Sequence, residues 1–351
     1  MPGKFPARYV VQGGLYLKSK AVFLANRDNN AIQSVYSDAM MARLHELVEM
    51  YPSVIDRDNM QQHAEALREV EFAFSTWGMV KLEAEEIRHH FPNLKAVFYA
   101  AGSVQYFAQP FLDLGIMVVS AWTANAIPVA EYTAAQIVLA NKGVLQTMPR
   151  TKRNRSEAIE FSRNFPGNYD VKVGILGAGA IGRLVIGMLA SYNMELYVFD
   201  PFLPDERARE MGVRKTDLET IFSECQTISN HLANLPETVG ILNRNHFDRM
   251  LPYATFLNTG RGAQVVEPDL IRALKEVPTR TAILDVTHPE PPLSGSELLE
   301  LDNVWLTPHV AGSAGREVVR MAETAIEECR RYLAGETVNN QVTFEMLKTM
   351  A

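Results

Sequence analysis

Short apolar runs alternate with longer amphipathic stretches along nearly the whole chain, and the alternation falls into two series. In the first, Ala21-Val22-Phe23-Leu24-Ala25, Val70-Glu71-Phe72-Ala73-Phe74, Lys95-Ala96-Val97-Phe98-Tyr99 and Ile116-Met117-Val118-Val119 read as strands. Short apolar runs of this kind, separated by helical patterns, predict βαβ units and a mostly parallel sheet. A helix is predicted over about 37–50, and residues before about 20 carry no strong pattern. From Glu131 to about Met148 the spacing predicts one uninterrupted helix, with Ile137, Val138, Val144 and Leu145 on one face. The polar, basic stretch after it, with Arg150, Lys152, Arg153 and Arg155, reads as a solvated connector, with a subunit-contact arm as the alternative. The second series begins at Lys172, with strands expected over 172–176, 195–199, 226–230, 254–257, 281–284 and 304–306. Six strands with helices between them match a doubly wound dinucleotide-binding domain. A last helix, about 316–333, comes after this set is complete and is expected to return to the first domain.

Length agrees with that division, because 351 residues favour two domains. The expected boundaries are 1–122 with 312–351 for a discontinuous substrate domain, and 123–311 for the dinucleotide-binding domain. Apolar residues make up 47% of the chain, enough for ordinary cores. The formal net charge of -7 argues against nucleic acid or an anionic membrane as the main partner. Two cysteines far apart, Cys225 and Cys329, form neither a disulfide framework nor a metal cluster and fit a reducing cytoplasm. Met1-Pro2-Gly3-Lys4-Phe5 lacks the apolar core of a signal peptide. No run reaches the ~18 apolar residues of a membrane span. The stretch after Gly335 is short, and no appended effector module is expected there.

The chemistry begins at Gly177-Ala178-Gly179-Ala180-Ile181-Gly182. A G-x-G-x-x-G alone is weak evidence, but this one follows an apolar strand and opens a helix carrying Leu184, Val185, Met188 and Leu189. In that context the glycines permit a tight turn, close approach of a pyrophosphate and close helix–strand packing. The helix N-terminus offers N–H groups and partial positive charge to the phosphates. Asp200 ends the next predicted strand, before Pro201. It either caps that strand or accepts hydrogen bonds from the adenosine ribose; the spacing favours the ribose, and with it NAD over NADP.

Three further side chains follow three successive predicted strands. Arg261, in Asn258-Thr259-Gly260-Arg261-Gly262, presents a permanently charged fork suited to a carboxylate. Glu290 follows Asp285-Val286-Thr287-His288-Pro289, and His309 lies in Thr307-Pro308-His309-Val310-Ala311-Gly312. Imidazole titrates near neutrality and can give a proton to a carbonyl and take it back, and a carboxylate bonded to it stabilises the imidazolium. Asp285 and His288 compete with Glu290, and Asp285 could help hold a nicotinamide carboxamide. Each residue alone has an ordinary reading as a surface ion pair, loop carboxylate or structural histidine. Three of them at the carboxyl ends of one parallel sheet, where ligands bind, point to a site without a metal.

As an ordered set, these residues resemble the D-isomer-specific 2-hydroxyacid dehydrogenase family over about residues 20–340. Pro128-Val129-Ala130-Glu131 and His231 with Pro236-Glu237-Thr238 add to the resemblance. The resemblance implies an α/β protein of two doubly wound parallel-sheet domains, a Rossmann NAD-binding domain inserted in a flavodoxin-like substrate domain. It implies a homodimeric enzyme with its site in the interdomain cleft, moving a hydride between nicotinamide and C2 of a small D-2-hydroxy or 2-keto acid. Arg261 would bind the substrate carboxylate, His309 would be the acid–base and Glu290 its partner. Gly177, Gly179, Ala180, Ile181, Gly182, Arg183, Asp200, Pro201, His231, Thr259 and Asp285 would hold the cofactor. Ala101, Gly102 and Ser103, with Val104, would offer backbone N–H groups to the substrate. Trp77, read from its place in Ser75-Thr76-Trp77-Gly78-Met79 after a first-domain strand, either shapes the substrate's side-chain site or is an ordinary buried aromatic. The chain departs from the usual pattern at Ala100, Val104, Ala233 and Val266. Two alternatives keep the fold: an oxidiser of formate or phosphite, and a non-catalytic NAD-sensing interaction protein.

Overall fold

A computed structural model describes residues 18–26 and 31–348; the patternless stretch before residue 20 lies almost wholly outside them. The chain divides into two compact units, one of Ala126–Ser313 and one made of the segments before and after it.

In the discontinuous unit, strands β1 (Lys20–Leu24), β2 (Glu49–Ile55), β3 (Phe72–Ser75), β4 (Ala96–Tyr99) and β5 (Met117–Ser120) are parallel. A short strand near the C-terminus, Gln341–Val342, runs antiparallel on the free edge of β5. The order, edge strand-β5-β4-β3-β1-β2, is the doubly wound 2-1-3-4-5 order of flavodoxin-like sheets. All of β3 and β4 is buried, as expected of strands covered by helices on both faces. The returning helix is Val319–Ala334, which buries Met321, Ala325, Ile326 and Cys329 in this core. Its Tyr332 ring meets Phe72 edge-on at 5.4 Å, and Phe74 stacks on Phe98 at 5.1 Å. One boundary differs from expectation. The helix over 37–50 stops at Leu47, because Glu49–Ile55 is pulled into the sheet beside β1. As an edge strand, β2 tolerates Pro52 and half-exposed positions, and both features hide it in the sequence.

In Ala126–Ser313, strands β6 (Tyr169–Leu176), β7 (Asn193–Phe199), β8 (Arg214–Lys215), β9 (Thr227–Asn230), β10 (Thr255–Asn258), β11 (Thr281–Leu284) and β12 (Val304–Leu306) are all parallel. Their order, β12-β11-β10-β9-β6-β7-β8, is the Rossmann order extended by one strand. It reverses between β6 and β9, where such sheets bind dinucleotides. β8 was not expected; it is two exposed residues on the edge.

The helix expected to run unbroken from Glu131 to Met148 is two helices. Trp122–Ala140 carries the chain from one unit into the other, and Val144–Arg153 follows a turn in which Gly143 has φ +60°. The basic stretch is correspondingly not a connector. Arg150, Lys152 and Arg153 close the second of these helices, where cations complement the helix dipole. Arg155 opens the helix Arg155–Ser162, capped by Asn154 Oδ1, which accepts from the Ser156 and Glu157 amides at 3.1 and 3.3 Å. The Arg150 guanidinium lies 3.9 Å from the centre of the Phe161 ring.

Candidate active site

Because the strands of Ala126–Ser313 are parallel, the loops after β6, β9, β10, β11 and β12 leave the same edge of the sheet. After β6, Gly177 turns the chain at φ +93°, and its N–H donates to the Phe199 carbonyl at 2.7 Å. A Cβ at Gly177 would sit 2.7 Å from the His231 carbonyl oxygen, and one at Gly182 2.0 Å from the Gly177 oxygen. Those two glycines are demanded by the protein itself. A Cβ at Gly179 would meet nothing within 4 Å, so the space beside it is open to a ligand, at the start of the Ala180–Leu189 helix that holds Ala180, Ile181 and Gly182 in its first turn. The Arg183 Nε folds back to donate to the Ala178 carbonyl at 2.7 Å.

Asp200 does take up a capping role. Its Oδ2 accepts from the Ala178 amide at 2.7 Å and its Oδ1 from the Phe202 amide at 2.8 Å, across the exposed Pro201. The carboxylate thus ties the glycine loop to the end of β7, and each oxygen keeps a second lone-pair direction for a ligand hydroxyl. After β9, His231 is buried, with Nε2 2.9 Å from the Ser229 hydroxyl and Nδ1 3.3 Å from the Thr259 hydroxyl. Burial pushes its pKa down to about 3, so the ring is neutral at physiological pH. Thr259 in turn lies 3.3 Å from the Thr133 hydroxyl.

The loops after β10, β11 and β12 bring the three predicted acid–base and carboxylate-binding residues together. Arg261 follows β10, and its Nη1 donates to the Gly260 carbonyl at 2.8 Å. Burial lowers the basicity of the guanidinium while the charge of Glu290 acts to raise it; it remains a cation. A Cβ at Gly262 would lie 2.0 Å from the Thr287 carbonyl carbon, so the loop after β10 packs backbone to backbone against the loop after β11. His309 sits at φ +54° and its N–H donates to the Asp285 carbonyl at 3.1 Å. Its Nδ1 is 2.6 Å from Glu290 Oε1, with both side chains about half exposed. A carboxylate at Nδ1 selects the Nδ1–H tautomer and leaves Nε2 to exchange a proton with a ligand.

Asp285 is a scaffold for that loop. Its Oδ1 accepts from the Thr307 hydroxyl at 2.6 Å and the Val310 amide at 2.8 Å, and its Oδ2 accepts from the Ala311 amide at 2.9 Å. The competing His288 is exposed, its amide donating to Glu267 Oε1 at 2.8 Å.

The predicted substrate residues lie in the other unit, at the carboxyl ends of β3 and β4. Ser120 Oγ donates to the Ala101 and Gly102 carbonyls at 2.9 and 2.6 Å, and Thr76 Oγ1 donates to the Ala100 carbonyl at 2.8 Å. Gly102 and Ser103 are partly exposed. Trp77 is 38% exposed rather than an ordinary core aromatic. Sequence reasoning overlooked three fully buried carboxamides beneath the loops after β9 and β10, those of Asn230, Asn258 and Gln264. Their only sequence signal is that two of them end strands.

Compared with known proteins, residues 136–311 match the model of the D-isomer specific 2-hydroxyacid dehydrogenase, NAD binding domain. The chain belongs to the D-isomer-specific 2-hydroxyacid dehydrogenase family. It is similar to a D-3-phosphoglycerate dehydrogenase of Methanocaldococcus jannaschii, 34% identical over 237 residues, which are 66% of this chain and 44% of that one. It is 33% identical over 223 residues to the Synechocystis D-3-phosphoglycerate dehydrogenase, covering 63% of this chain and 39% of the relative. The family member thus spans less than half the length of either relative in these matches. In fold it resembles the apo D-mandelate dehydrogenase of Rhodotorula graminis, with a TM-score of 0.78 at 19% identity over 93% of this chain and 98% of that one. Among the described residues no helix is long and apolar enough to cross a membrane, and no cluster of His, Cys, Asp and Glu is arranged to hold a metal ion.

Proposed function

We propose that the protein is an NAD-dependent D-2-hydroxyacid dehydrogenase that reduces a small 2-keto acid. The observation that carries this reading is the 2.6 Å His309–Glu290 pair, with a half-buried Arg261 near enough for the charge of Glu290 to act on it. A nicotinamide cofactor, when bound, would supply hydride-transfer chemistry toward C2 of the substrate in either direction. Arg261 binds the substrate carboxylate through its fork and polarises the neighbouring carbonyl. His309 Nε2 gives the carbonyl oxygen its proton and takes it back in the oxidative direction, while Glu290 stabilises the imidazolium formed between. Gly177, Gly179, Ala180, Ile181, Gly182 and Arg183 cradle the pyrophosphate. Asp200, with Pro201 beside it, takes the adenosine ribose and favours NAD by repelling a 2′-phosphate. His231, Thr259 and Asp285 are assigned to the nicotinamide end. Ala101, Gly102, Ser103 and Trp77 are assigned to the substrate.

The His309–Glu290 pair also separates this reading from formate oxidation, which needs no proton transfer at a hydroxyl. A homodimer is proposed from the family resemblance. A cytoplasmic location is proposed from two buried cysteines that are both free.

The test is NADH consumption with glyoxylate, pyruvate, hydroxypyruvate, branched and aromatic keto acids, and phosphohydroxypyruvate, the last included because of the relatives' names. Turnover on one member, abolished by Arg261→Ala and by His309→Ala, is expected. NADH binding without turnover on any member would sink the reading and favour an NAD-sensing protein. Faster turnover with NADPH than with NADH would refute the role given to Asp200.

A further inference from the structure

We propose that Gln264, Asn230 and Asn258 form a buried carboxamide clamp that sets the position of Arg261 and couples it to the cofactor-side loop after β9. The proposal rests on the dehydrogenase reading for what the two loops bind.

Gln264 ends the short 3-10 turn Gly262–Gln264 and points back beneath the loops. Its Oε1 accepts from Asn230 Nδ2 at 2.7 Å and from the Arg261 amide at 3.2 Å. Its Nε2 donates to the Leu232 and Ala233 carbonyls, both at 2.8 Å. Asn230 Nδ2 also donates to Asn258 Oδ1 at 3.0 Å, and Asn230 Oδ1 accepts from the Leu232 amide at 3.2 Å. Asn258 Oδ1 accepts from the Gly260 amide at 3.0 Å, and its Nδ2 donates to the Arg261 carbonyl at 3.3 Å. Each amide oxygen and nitrogen of the three side chains is therefore used, which is what makes such a network rigid rather than costly.

The partners of the clamp are functional loops. Both the amide and the carbonyl of Arg261 are held, so its backbone cannot rotate without breaking a bond to Gln264 or Asn258. Leu232 and Ala233, directly after His231, are held by the other end of Gln264. Loops after strands are ordinarily the mobile part of such a sheet, and a guanidinium must be placed within a fraction of an ångström to pay back its burial in binding. One glutamine thus spans the two loops proposed to hold substrate and cofactor. The packing leaves it no freedom: a Cβ on Gly260 would fall 2.8 Å from Gln264 Oε1 and 3.0 Å from Asn230 Nδ2. These three are positioning residues, acting through Arg261 and the loop after β9 rather than touching the reacting atoms.

The two ends of Gln264 can be broken separately. Gln264→Glu keeps an acceptor for Asn230 and the Arg261 amide but turns a carboxylate oxygen toward the Leu232 and Ala233 carbonyls. Gln264→Leu removes both ends. Binding of NADH is read by fluorescence titration, and binding of oxamate, a non-reducible 2-keto acid mimic, at saturating NADH. Expected for Gln264→Glu is an NADH Kd raised about tenfold with oxamate Kd changed by less than about threefold. Expected for Gln264→Leu is a rise of about tenfold in both. Leu274→Ala, a core substitution in the same unit, is the stability control and should lower the melting temperature without moving either constant. The proposal is overturned if folded Gln264 variants bind both ligands like the wild type, or if Leu274→Ala reproduces their losses. Should Gln264→Leu not fold, the split expected of Gln264→Glu decides alone. A wild type that binds NADH but neither binds oxamate nor reduces any keto acid would defeat the dehydrogenase reading, while the NADH arm would still decide whether Gln264 holds the loop after β9.

Discussion

Acidification loads His231, and the size of the effect can be worked from its surroundings. The ring is 9% exposed, its nitrogens face the hydroxyls of Ser229 and Thr259, and burial pushes its pKa from 6.5 to about 3. In the unfolded chain the same ring titrates near the ordinary value of about 6.5. Between those two values the unfolded state binds a proton that the folded state refuses, so stability rises with pH through that window. The contribution is complete above about pH 6.5 and is lost on acidification at up to ~1.4 kcal/mol per pH unit. From about pH 7.5 to about pH 5.5 the loss assigned to this one ring is therefore ~1.4 kcal/mol. His231→Gln removes the titration while leaving an amide to meet the hydroxyls. Burial also lowers the pKa of His246, but that slope is common to both proteins and cancels in the difference. The assay is urea unfolding at the two pH values. Trp305 emission is read in a Trp77→Phe/Trp122→Phe background, so that the signal reports the unit that holds His231. The wild type should lose ~1.4 kcal/mol more than the variant on acidification. A difference under ~0.3 kcal/mol would mean that the folded protein accepts the proton, and the inference of a permanently neutral imidazole would be wrong.

Two substitutions test how the site is held. Asp285→Asn puts an NH2 where the carboxylate accepts from Thr307, Val310 and Ala311. Losing one charge-assisted bond should cost about 2 kcal/mol in urea unfolding and lower kcat/KM on the best keto acid by ~30-fold, through displacement of His309. Gly262→Ala places a methyl 2.0 Å from the Thr287 carbonyl carbon, a backbone atom that cannot swing aside. A loss of about 3 kcal/mol is expected in the same measurement, with turnover falling further than NADH affinity. Unchanged stability would show that the loops after β10 and β11 separate readily.

What could be read from the sequence was what burial or a fixed spacing imposes. β3, β4, β10 and β11 are buried at every position, so their apolar residues announce them, whereas β9 is as buried but reads Thr227-Ile228-Ser229-Asn230 and is marked only by its place in the alternation. β2 and β8 lie on edges, half exposed or very short, and only pairing with a neighbour makes them strands. The break at Gly143 was invisible because Val144 and Leu145 resume in phase with the preceding helix. In the site, Arg261, Glu290 and His309 stand out as polar residues after strands, flanked by glycine and proline. The contact between Glu290 and His309 follows from the pairing of β11 with β12. The load carried by Asp285 could not be read, because the amides it accepts from belong to a loop more than twenty residues on. Asn230 reads in the sequence as the end of a strand, and Asn258 and Gln264 as loop; it is the packing of the two loops over them that buries all three.

The discontinuous unit sets an order on synthesis. β1, β3, β4 and β5 are complete when residue 120 has been made, but Met321, Ala325, Ile326 and Cys329, which cover one face of that sheet, belong to the Val319–Ala334 helix. At the ~5–20 residues per second of translation, the sheet waits roughly ten to forty seconds with that face uncovered. Throughout that interval the whole of Ala126–Ser313 emerges, with all seven of its strands contiguous in the chain, and can complete its own sheet first. The nascent chain therefore carries a finished nucleotide-binding unit alongside an apolar surface still waiting for its cover, and chaperone capture should concentrate on Phe72, Phe98 and their neighbours until the last helix arrives.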